Sequence, residues 1–481
     1  MSAARREAAC ALVLLMVALL AVIAATTPWS ALSIPAAEAV AADVTRDFTA
    51  AELARARAYR GAVRQVSYAA LAGSLLLSAV LALTPLGARV VAAAGRPFGG
   101  GWLARAVAGT VVLTLGTRLV LLPLSARIEA VGRAYGLSTR SWGGWLADVA
   151  RTYLLSTALL VLVLVLALRM ARRWPHRWWA PASLAAGALV LVVSFAYPLV
   201  VEPVFNRFTS LPAGPLRTDV LGLAERVGTP LEDVLVADAS RRTSTLNAYV
   251  SGYGATRRVV LYDTLLEQAS EQEIRLIVAH ELGHAARGDV PRGTATGALG
   301  AAAGACALYL VLTSPRVQRR AGLAAAQDTA ADPRLIAVAL LAILVMSQLG
   351  GPVQMLVSCR VETRADVASL EATRDPAGFV VMQRRLSLAN LSDLDPPPLV
   401  FALFSSHPTG PQRIALARTW TRVVDVAEPP DLAPRVPPSA RADASGDELH
   451  DHQLHRDGLH DHQVSGGKVT GGGASVHADH G

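Results

Sequence analysis

Seven long apolar runs constrain this chain more than any other feature of its sequence. Hydrophobic residues make up 52% of the 481 residues, which is more than the core of a soluble domain requires. A run of roughly 20 apolar residues is long enough to cross a bilayer as a helix. The sequence therefore predicts a mainly α, multi-pass membrane protein with spans at 8–25, 67–86, 103–124, 153–170, 182–201, 296–312 and 335–357.

The first run allows two interpretations. It follows Arg5 and Arg6 and precedes Ala37-Glu38-Ala39, as the apolar part of a cleaved signal peptide would. However, the run is long for a signal peptide, and the small residues lie some distance beyond it. We therefore interpret it as an uncleaved span.

The motif His280-Glu281-Leu282-Gly283-His284 lies between the fifth and sixth runs. On a helix it places two imidazoles one turn apart on one face with a carboxylate beside them, which is the arrangement of a hydrolytic zinc site. Ser270 and Glu273 predict a capping box at the start of that helix, and Gly288 can end it. Two surface histidines on an amphipathic helix are the alternative that the motif alone leaves open.

A third zinc ligand is expected where the seventh run ends. A helix that continues through residues 361–366 would present Glu362 and Asp366 on one face. We predict that Glu362 is the third protein ligand and that the fourth position is left for water. Asp366 is predicted to orient a ligand imidazole. Considered alone, the pair is also consistent with solvated carboxylates at a membrane exit.

Two further segments are candidates for contact with a substrate. His407 and Arg413 can stabilise an oxyanion and hold a substrate carbonyl or C-terminal carboxylate, unless the segment is simply a polar loop. Residues 246–250 and 258–262 alternate like the two strands of a hairpin. An exposed edge at Asn247 and Ala248 can pair with an extended peptide, although a purely structural hairpin is equally consistent with the pattern.

Cysteine usage and charge limit the function classes. The cysteines, Cys10, Cys306 and Cys359, have no metal-ligand spacing, so the sequence predicts neither a disulfide framework nor a cysteine zinc site. The net charge of +8 comes almost wholly from arginines at the ends of the apolar runs. This distribution indicates membrane topology and contact with lipids and argues against nucleic-acid binding.

Arg118, inside the third run, is expected to face a polar cavity or a carboxylate, or to reach the interface along its aliphatic stem.

The chain divides into five predicted parts. Five spans occupy residues 1–201, and a catalytic segment with the hairpin and the HExxH helix occupies 202–293. Spans six and seven occupy 294–358, and a second catalytic segment with the third ligand occupies 359–427. The two segments together form a small α+β zinc-protease part. The tail, 428–481, is rich in Pro, Gly, Asp and His, and we predict that it is disordered and binds metal at most loosely.

In chain order, these residues resemble the membrane zinc metallopeptidases of the type I CAAX prenyl protease family. The resemblance extends from about Phe48 to about Leu416. Outside the HELGH helix, the matching segments are 122–124, 136–138, 202–208, 247–249, 260–266, Glu362 with Asp366, and His407-Pro408 with Arg413. The first span and the His-rich tail depart from the family's pattern.

The resemblance implies seven spans around a large water-filled chamber with one Zn²⁺ on its wall. It also implies that His280, His284 and Glu362 are the ligands, that Glu281 is the general base and that His407 stabilises the transition state. The expected function is that of a membrane-embedded zinc metalloendopeptidase, with a peptide or protein substrate that can be lipid-modified.

Other functions predict different sequence features. A quality-control protease resembling the heat-shock zinc proteases is the alternative among enzymes. A carrier would repeat its spans in two halves, and an inactive metal-binding scaffold would be expected to lack Glu281 or a ligand. The arginine-rich, nearly lysine-free composition is typical of a GC-rich genome and favours the cell membrane of a bacterium, where prenylated substrates need not occur.

The sequence leaves the membrane orientation open. If the N-terminus is inside, three arginine-rich segments outside the spans are cytoplasmic and the zinc site is outside. These are the N-terminal segment with Arg5 and Arg6, the connection after span four, and the connection with Arg316, Arg319 and Arg320. The family resemblance implies the opposite orientation, and the connection between spans one and two also carries five arginines.

Overall fold

The computed structural model describes residues 2–32, 39–252, 254–324 and 330–433. The His-rich part of the tail lies outside these residues. The helices are α1 (Ala3–Thr26), α2 (Ala50–Leu83), α3 (Pro85–Gly95), α4 (Trp102–Ala134), α5 (Trp142–Arg173), α6 (Trp179–Ala196), α7 (Glu202–Phe205), α8 (Pro215–Arg226), α9 (Asp263–Gln268), α10 (Glu271–Arg287), α11 (Asp289–Leu312), α12 (Pro315–Arg320), α13 (Ile336–Thr373), α14 (Pro376–Ala389), α15 (Pro398–Phe404) and α16 (Gly410–Val423). The strands are β1 (Phe208–Ser210), β2 (Asp233–Ala237), β3 (Ala248–Ser251) and β4 (Arg258–Tyr262).

Seven helical stretches of the described chain are long and apolar enough to cross a membrane, which confirms the predicted number. They are α1, α2, α4, α5, residues 179–205, α11 and residues 333–373. Neighbouring spans follow one another in a ring, since α4 packs on α2 and α5, α6 on α5 and α11, and α13 on α11 and α2. Helix α1 packs against α11.

Both limits of the predicted second span differ from the helix ends, because apolarity locates the bilayer and not the helix end. Helix α2 begins at Ala50 rather than at residue 67. It ends at Leu83, because the Thr84 side chain caps a new helix that has Pro85 in its first turn. The predicted second span therefore included the first residues of α3.

The predicted boundaries of the first catalytic segment also differ from the structure. Span five continues past residue 201, because a π-helical turn, Tyr197–Val201, joins α6 to α7. At the other end, α11 already begins at Asp289, so the predicted boundary at residue 293 falls within a helix. Both ends of the first catalytic segment therefore join their spans through continuous helix.

A four-stranded sheet forms the β part of the first catalytic segment. Its strand order is β1-β2-β4-β3, with β2 and β4 parallel and the other two pairs antiparallel. The predicted hairpin is present as β3 and β4, but its first strand begins at Ala248, which lies opposite Leu261. Strands β1 and β2 were not predicted, since they are short and far from a hairpin partner. Strand β3 is an edge of this sheet.

A shared apolar core joins the two catalytic segments and the start of α2. It contains buried side chains of the sheet, α8, α10, α14 and α16. Within this region Arg418 donates two hydrogen bonds to Asp47, at 2.6 and 2.7 Å. Both side chains are almost fully buried, so this ion pair fixes α16 to the chain that leads into α2.

Arg118 finds its partners on the neighbouring span. Its Nη1 donates to Oγ of Ser156 at 2.7 Å and to Oγ1 of Thr157 and the carbonyl of Tyr153 at 3.2 Å. Its guanidinium carbon also lies 4.8 Å from the centre of the Tyr153 ring. Of the alternatives for Arg118, a carboxylate partner is absent among the described residues, and hydroxyl and carbonyl groups of α5 accept from Nη1 instead.

Candidate active site

The HELGH motif lies on α10, whose ends are set by local sequence. Ser270 and Glu273 form the predicted capping box, and Gly288 ends the helix with a φ of 65°. The apolar stripe of the helix packs into the shared core. It consists of Ile274, Ile277, Val278 and Leu282. The remaining face therefore carries the polar side chains of the motif into a cavity.

The three predicted zinc ligands converge on one point. Nε2 of His280 lies 3.2 Å from Nε2 of His284 and 3.2 Å from Oε2 of Glu362. Nε2 of His284 lies 3.5 Å from Oε1 of Glu362. A tetrahedral zinc ion with bonds of about 2.0–2.1 Å holds its ligand atoms roughly 3.3 Å apart. The donor set and its spacing therefore fit zinc.

Each histidine of the motif has a carboxylate at its second ring nitrogen. Nδ1 of His280 lies 3.0 Å from Oδ1 of Asp366, which is fully buried on α13. Nδ1 of His284 lies 2.9 Å from Oδ2 of Asp289, at the start of α11. Sequence reasoning identified Asp366 and missed Asp289. The overlooked signal was an acidic residue that directly follows the glycine ending the catalytic helix.

Two arginines hold these carboxylates in place. Arg413 donates from Nε to Oδ2 of Asp366 at 2.8 Å and from Nη2 to Oδ1. Arg364, two residues after Glu362, pairs with the other oxygen of Asp289. Two of the three guanidinium nitrogens of Arg413 already bind Asp366, so fewer of its nitrogens are available for the predicted contact with substrate. Its Nη1 atom is left for a ligand.

Helix α10 lies unusually close to α13, which carries Glu362. A Cβ atom built on Gly283 would lie 2.9 Å from Cβ of Ala368 and 3.5 Å from Cα of Ala365. Two turns earlier on α10, the carbonyl of Leu276 accepts from the hydroxyl of Ser369 on α13 at 2.7 Å. The glycine within the motif therefore sets the distance between the two histidines and the third ligand.

A cavity of about 1530 Å³ contains the site. Its wall includes every residue predicted for catalysis, metal binding or substrate contact; these are Asn247, Ala248, His280, Glu281, His284, Glu362, His407 and Arg413. Asp366 lies behind that wall. The His407 side chain is 57% exposed, with Nε2 at 3.4 Å from Oε1 of Glu362, and its Nδ1 lies 2.7 Å from the hydroxyl of Ser406.

The edge strand β3 borders the same cavity. Ala248 begins the strand, and the carbonyl of Asn247 accepts from the backbone N–H of Tyr262. Leu246 comes immediately before this segment and is held by Asn390, the residue that directly follows α14. The Asn390 side chain accepts from the N–H of Leu246 at 2.9 Å and donates to its carbonyl at 3.1 Å. Sequence reasoning missed Asn390, which anchors the backbone that leads into the edge strand.

Burial and charge set the protonation of the motif in the metal-free site. Burial raises the pKa of the Glu281 carboxyl, although the neighbouring imidazoles oppose this effect. Burial also lowers the pKa of His284, but hydrogen bonds to Asp289 and Glu362 outweigh it and raise this pKa to about 10. The carboxylates thus favour positive charge between the ligands, as a cation site requires.

Comparisons with known proteins give the same assignment for both halves of the chain. A family model described as Peptidase family M48 matches residues 210–421, and one described as CAAX prenyl protease N-terminal, five membrane helices, matches residues 32–207. The uncharacterized metalloprotease YhfN of Bacillus subtilis is 32% identical over 305 residues, which cover 63% of this chain and 71% of YhfN.

More distant matches extend the similarity to the whole fold. CAAX prenyl protease 1 of Saccharomyces cerevisiae is 32% identical over 168 residues, which cover 34% of this chain and 37% of that protein. The crystal structure of S. mikatae Ste24p aligns with a TM-score of 0.70 and 20% identity and covers 87% of this chain and 99% of that chain. This likeness confirms the predicted fold class, a helical membrane protein around a chamber.

Proposed function

The chain belongs to peptidase family M48, and on this basis we propose that it is a zinc metalloendopeptidase in the cell membrane of a bacterium. Membership confirms the resemblance drawn from the motifs and makes the chain a membrane metallopeptidase that acts on peptides or proteins. The observation that carries the zinc assignment is the triangle of His280, His284 and Glu362, whose ligand atoms all lie within 4.8 Å of one another.

The chain's own residues then divide the work of hydrolysis. Zinc, when bound, supplies a Lewis acid that makes water a stronger acid. Glu281 accepts a proton from the attacking water and later gives it to the leaving amine. Burial raises the pKa of the Glu281 carboxyl, which makes this group a better proton acceptor.

The oxyanion is stabilised by His407. We assign the hydroxyl of Ser406 as donor to Nδ1 of His407, 2.7 Å away, so that the ring proton is on Nε2 and points into the cavity. There it donates to the developing oxyanion. Arg413 acts mainly through Asp366, which orients His280, and its Nη1 can hold a substrate carbonyl or carboxylate.

Substrate is held as an additional strand on the sheet. Strand β3 is an edge, and its start at Ala248 lines the cavity next to the HELGH helix. A peptide that pairs with the outward-facing backbone of Ala248 would lie extended across the site, with affinity from backbone hydrogen bonds. The Asn247 carbonyl already accepts from Tyr262, so Asn247 would contact this peptide through its exposed side chain. This mode favours an endopeptidase that needs little side-chain specificity.

Cleavage of a peptide panel tests this function. The purified, zinc-loaded protein is incubated with matched peptides that do or do not carry an S-farnesyl group on a C-terminal CAAX sequence. Glu281→Gln is the control, because it keeps the size and position of the side chain but cannot accept the proton. We expect cleavage by the natural sequence and none by the variant.

The outcomes separate the candidate functions. Cleavage confined to prenylated peptides would identify a CAAX-type substrate, whereas cleavage indifferent to the lipid would favour a quality-control protease. Activity that persists in Glu281→Gln would come from a contaminating enzyme. A zinc-loaded protein that cleaves no peptide of the panel would favour the metal-binding scaffold.

A further inference from the structure

The connection between α4 and α5 contacts the chain that leads into the edge strand β3. Ser138 of this connection forms an antiparallel bridge with Thr243. Beside the bridge, the N–H of Ser244 donates to the carbonyl of Leu137 at 3.2 Å. The hydroxyl of Ser244 also donates to the carbonyl of Gly136 at 2.7 Å. A short stretch between two membrane-spanning helices therefore pairs with the backbone just before β3.

Glu129, in the last turns of α4, holds this connection in place. Its side chain is almost fully buried, and its Oε1 accepts from the hydroxyl of Ser138 at 2.6 Å. Oε1 also accepts from Nε of Arg133 at 3.0 Å, and Oε2 accepts from Nη2 of Arg140 at 2.7 Å. Hydrogen bonds to a charged group are stronger than those between neutral groups. Because Arg140 also donates to Asp148 of α5 at 3.3 Å, one buried carboxylate ties both ends of the connection together.

The register of β3 shows which backbone groups are left for a peptide. Ala248 lies opposite Leu261, and the carbonyl of Asn247 accepts from the N–H of Tyr262. The hydrogen bonds of an antiparallel pair alternate along the strand. Asn247 therefore faces β4 with its backbone groups, whereas those of Ala248 and Val250 face outward.

At alternate residues before Ala248, the backbone already has partners. Two residues earlier, the N–H of Leu246 donates to the side chain of Asn390 at 2.9 Å. Four residues earlier, the N–H of Ser244 is held by Leu137 of the connection. The backbone is thus occupied up to the point where a peptide would begin to pair, and the placement of Ala248 depends on how firmly the connection is held.

We propose that Glu129 is a positioning residue for the substrate, because it locks the α4–α5 connection and thereby fixes the backbone that presents Ala248 to a peptide. This inference rests on the proposed function, in which the same edge holds the substrate. The action of Glu129 is indirect. Its hydrogen bonds in the described part of the chain go to Arg133, Ser138 and Arg140, and none of these three is a proposed zinc ligand.

Steady-state cleavage of one panel peptide by the purified, zinc-loaded protein tests this role. Glu129→Gln keeps the size of the side chain but removes its charge. The KM should rise about 10-fold, as expected when hydrogen bonds to a charged group are weakened, whereas kcat and zinc affinity should stay within about twofold. Ser138→Ala removes only one of these bonds and should raise the KM by less, so it provides a second test if Glu129→Gln does not fold.

Asp47→Asn is the matched control. Asp47 is a carboxylate at least as buried as Glu129 and is also bonded to an arginine, but its partner is Arg418 and not the connection. The control should lower the Tm and leave the KM unchanged. A KM that is unchanged in both Glu129→Gln and Ser138→Ala, or that rises equally in Asp47→Asn, would overturn the proposal.

Hydrogen exchange of the backbone amides, followed by mass spectrometry, gives a readout that requires no cleavage. Residues 243–250 should exchange faster in Glu129→Gln than in the natural sequence, and Asp47→Asn should not change their exchange. Unchanged exchange in Glu129→Gln would refute the inference whatever the kinetics. A natural chain that cleaves no peptide would instead refute the proposed function, and the exchange rates would still show whether Glu129 holds the edge.

Discussion

Replacement of Gly283 by Ala tests whether helix spacing sets the zinc geometry. The added methyl would lie 2.9 Å from Cβ of Ala368, whereas carbon atoms in contact prefer about 3.5–4.0 Å. Both atoms belong to helix backbones that cannot rotate away, so α10 and α13 must separate by roughly 0.6–1.1 Å. His280 and His284 would then move away from Glu362.

The magnitude follows from the cost of overpacking. Extra methylene or methyl groups in a packed interior cost about 1–3 kcal/mol. In the metal-free protein the helices relieve this cost by separating, but zinc requires ligand distances within about 0.2 Å and brings them together again. Most of this free-energy cost therefore opposes zinc binding, and the affinity of the protein for zinc should fall roughly 5- to 150-fold.

Competition with a chromophoric chelator measures this affinity in the purified protein. Gly300→Ala on α11 is the matched control, because a Cβ there would meet no atom within 4 Å, and we expect unchanged affinity. Ala368→Gly added to Gly283→Ala removes the opposing methyl and should restore most of the zinc affinity, even though glycine in a helix lowers the overall stability by about 1 kcal/mol.

Two results would refute this reasoning. If Gly283→Ala binds zinc as tightly as the natural sequence, the close approach of the helices does not set the site. If the affinity falls but Ala368→Gly does not restore it, the loss has a cause other than the contact between these two residues.

Three further predictions concern the supports of the site. Asp289→Asn should weaken zinc binding about 10- to 100-fold, because the carboxylate that orients His284 is lost; an unchanged affinity in the same competition assay would show that this contact is dispensable. Arg418→Leu should lower the free energy of unfolding by about 3–5 kcal/mol, since it leaves Asp47 charged and buried; denaturation in detergent measures this, and adding Asp47→Leu should recover part of the loss. Removal of zinc by a chelator should abolish cleavage and lower the Tm, and both should return with Zn²⁺ but not with Mg²⁺, which prefers oxygen ligands.

Much of the fold and the site could be predicted from the sequence, because it depends on patterns among residues close together in the chain. Apolar runs of sufficient length identify spans whatever packs beside them, and the number of seven is confirmed. The helix start at Ser270 and its end at Gly288 depend on residues within a few positions and were also correct. Helices extend past the predicted limits at residues 67, 201 and 293, since a helix continues beyond the apolar run until a cap or proline interrupts it.

The partners of charged groups were less predictable because they come from distant parts of the chain. Asn390 showed no pattern of its own, and the only signal for Asp289 was its position directly after the glycine that ends α10. The turn after α10 and the packing of α14 bring them to His284 and Leu246. Arg413 was recognised as a functional candidate, but its two bonds to the buried Asp366 could not be read from spacing.

The sequence by itself determined the number of spans and the placement of the HELGH motif on a helix, since each helix is recognised from its own residues. Only the tertiary structure decided how closely α10 approaches α13, and hence the distances among His280, His284 and Glu362. It also decided which charged groups pair, as Arg413 does with Asp366 and Arg418 with Asp47. Helix spacing and ion pairing depend on contacts between segments up to hundreds of residues apart, so they cannot be predicted from local periodicity.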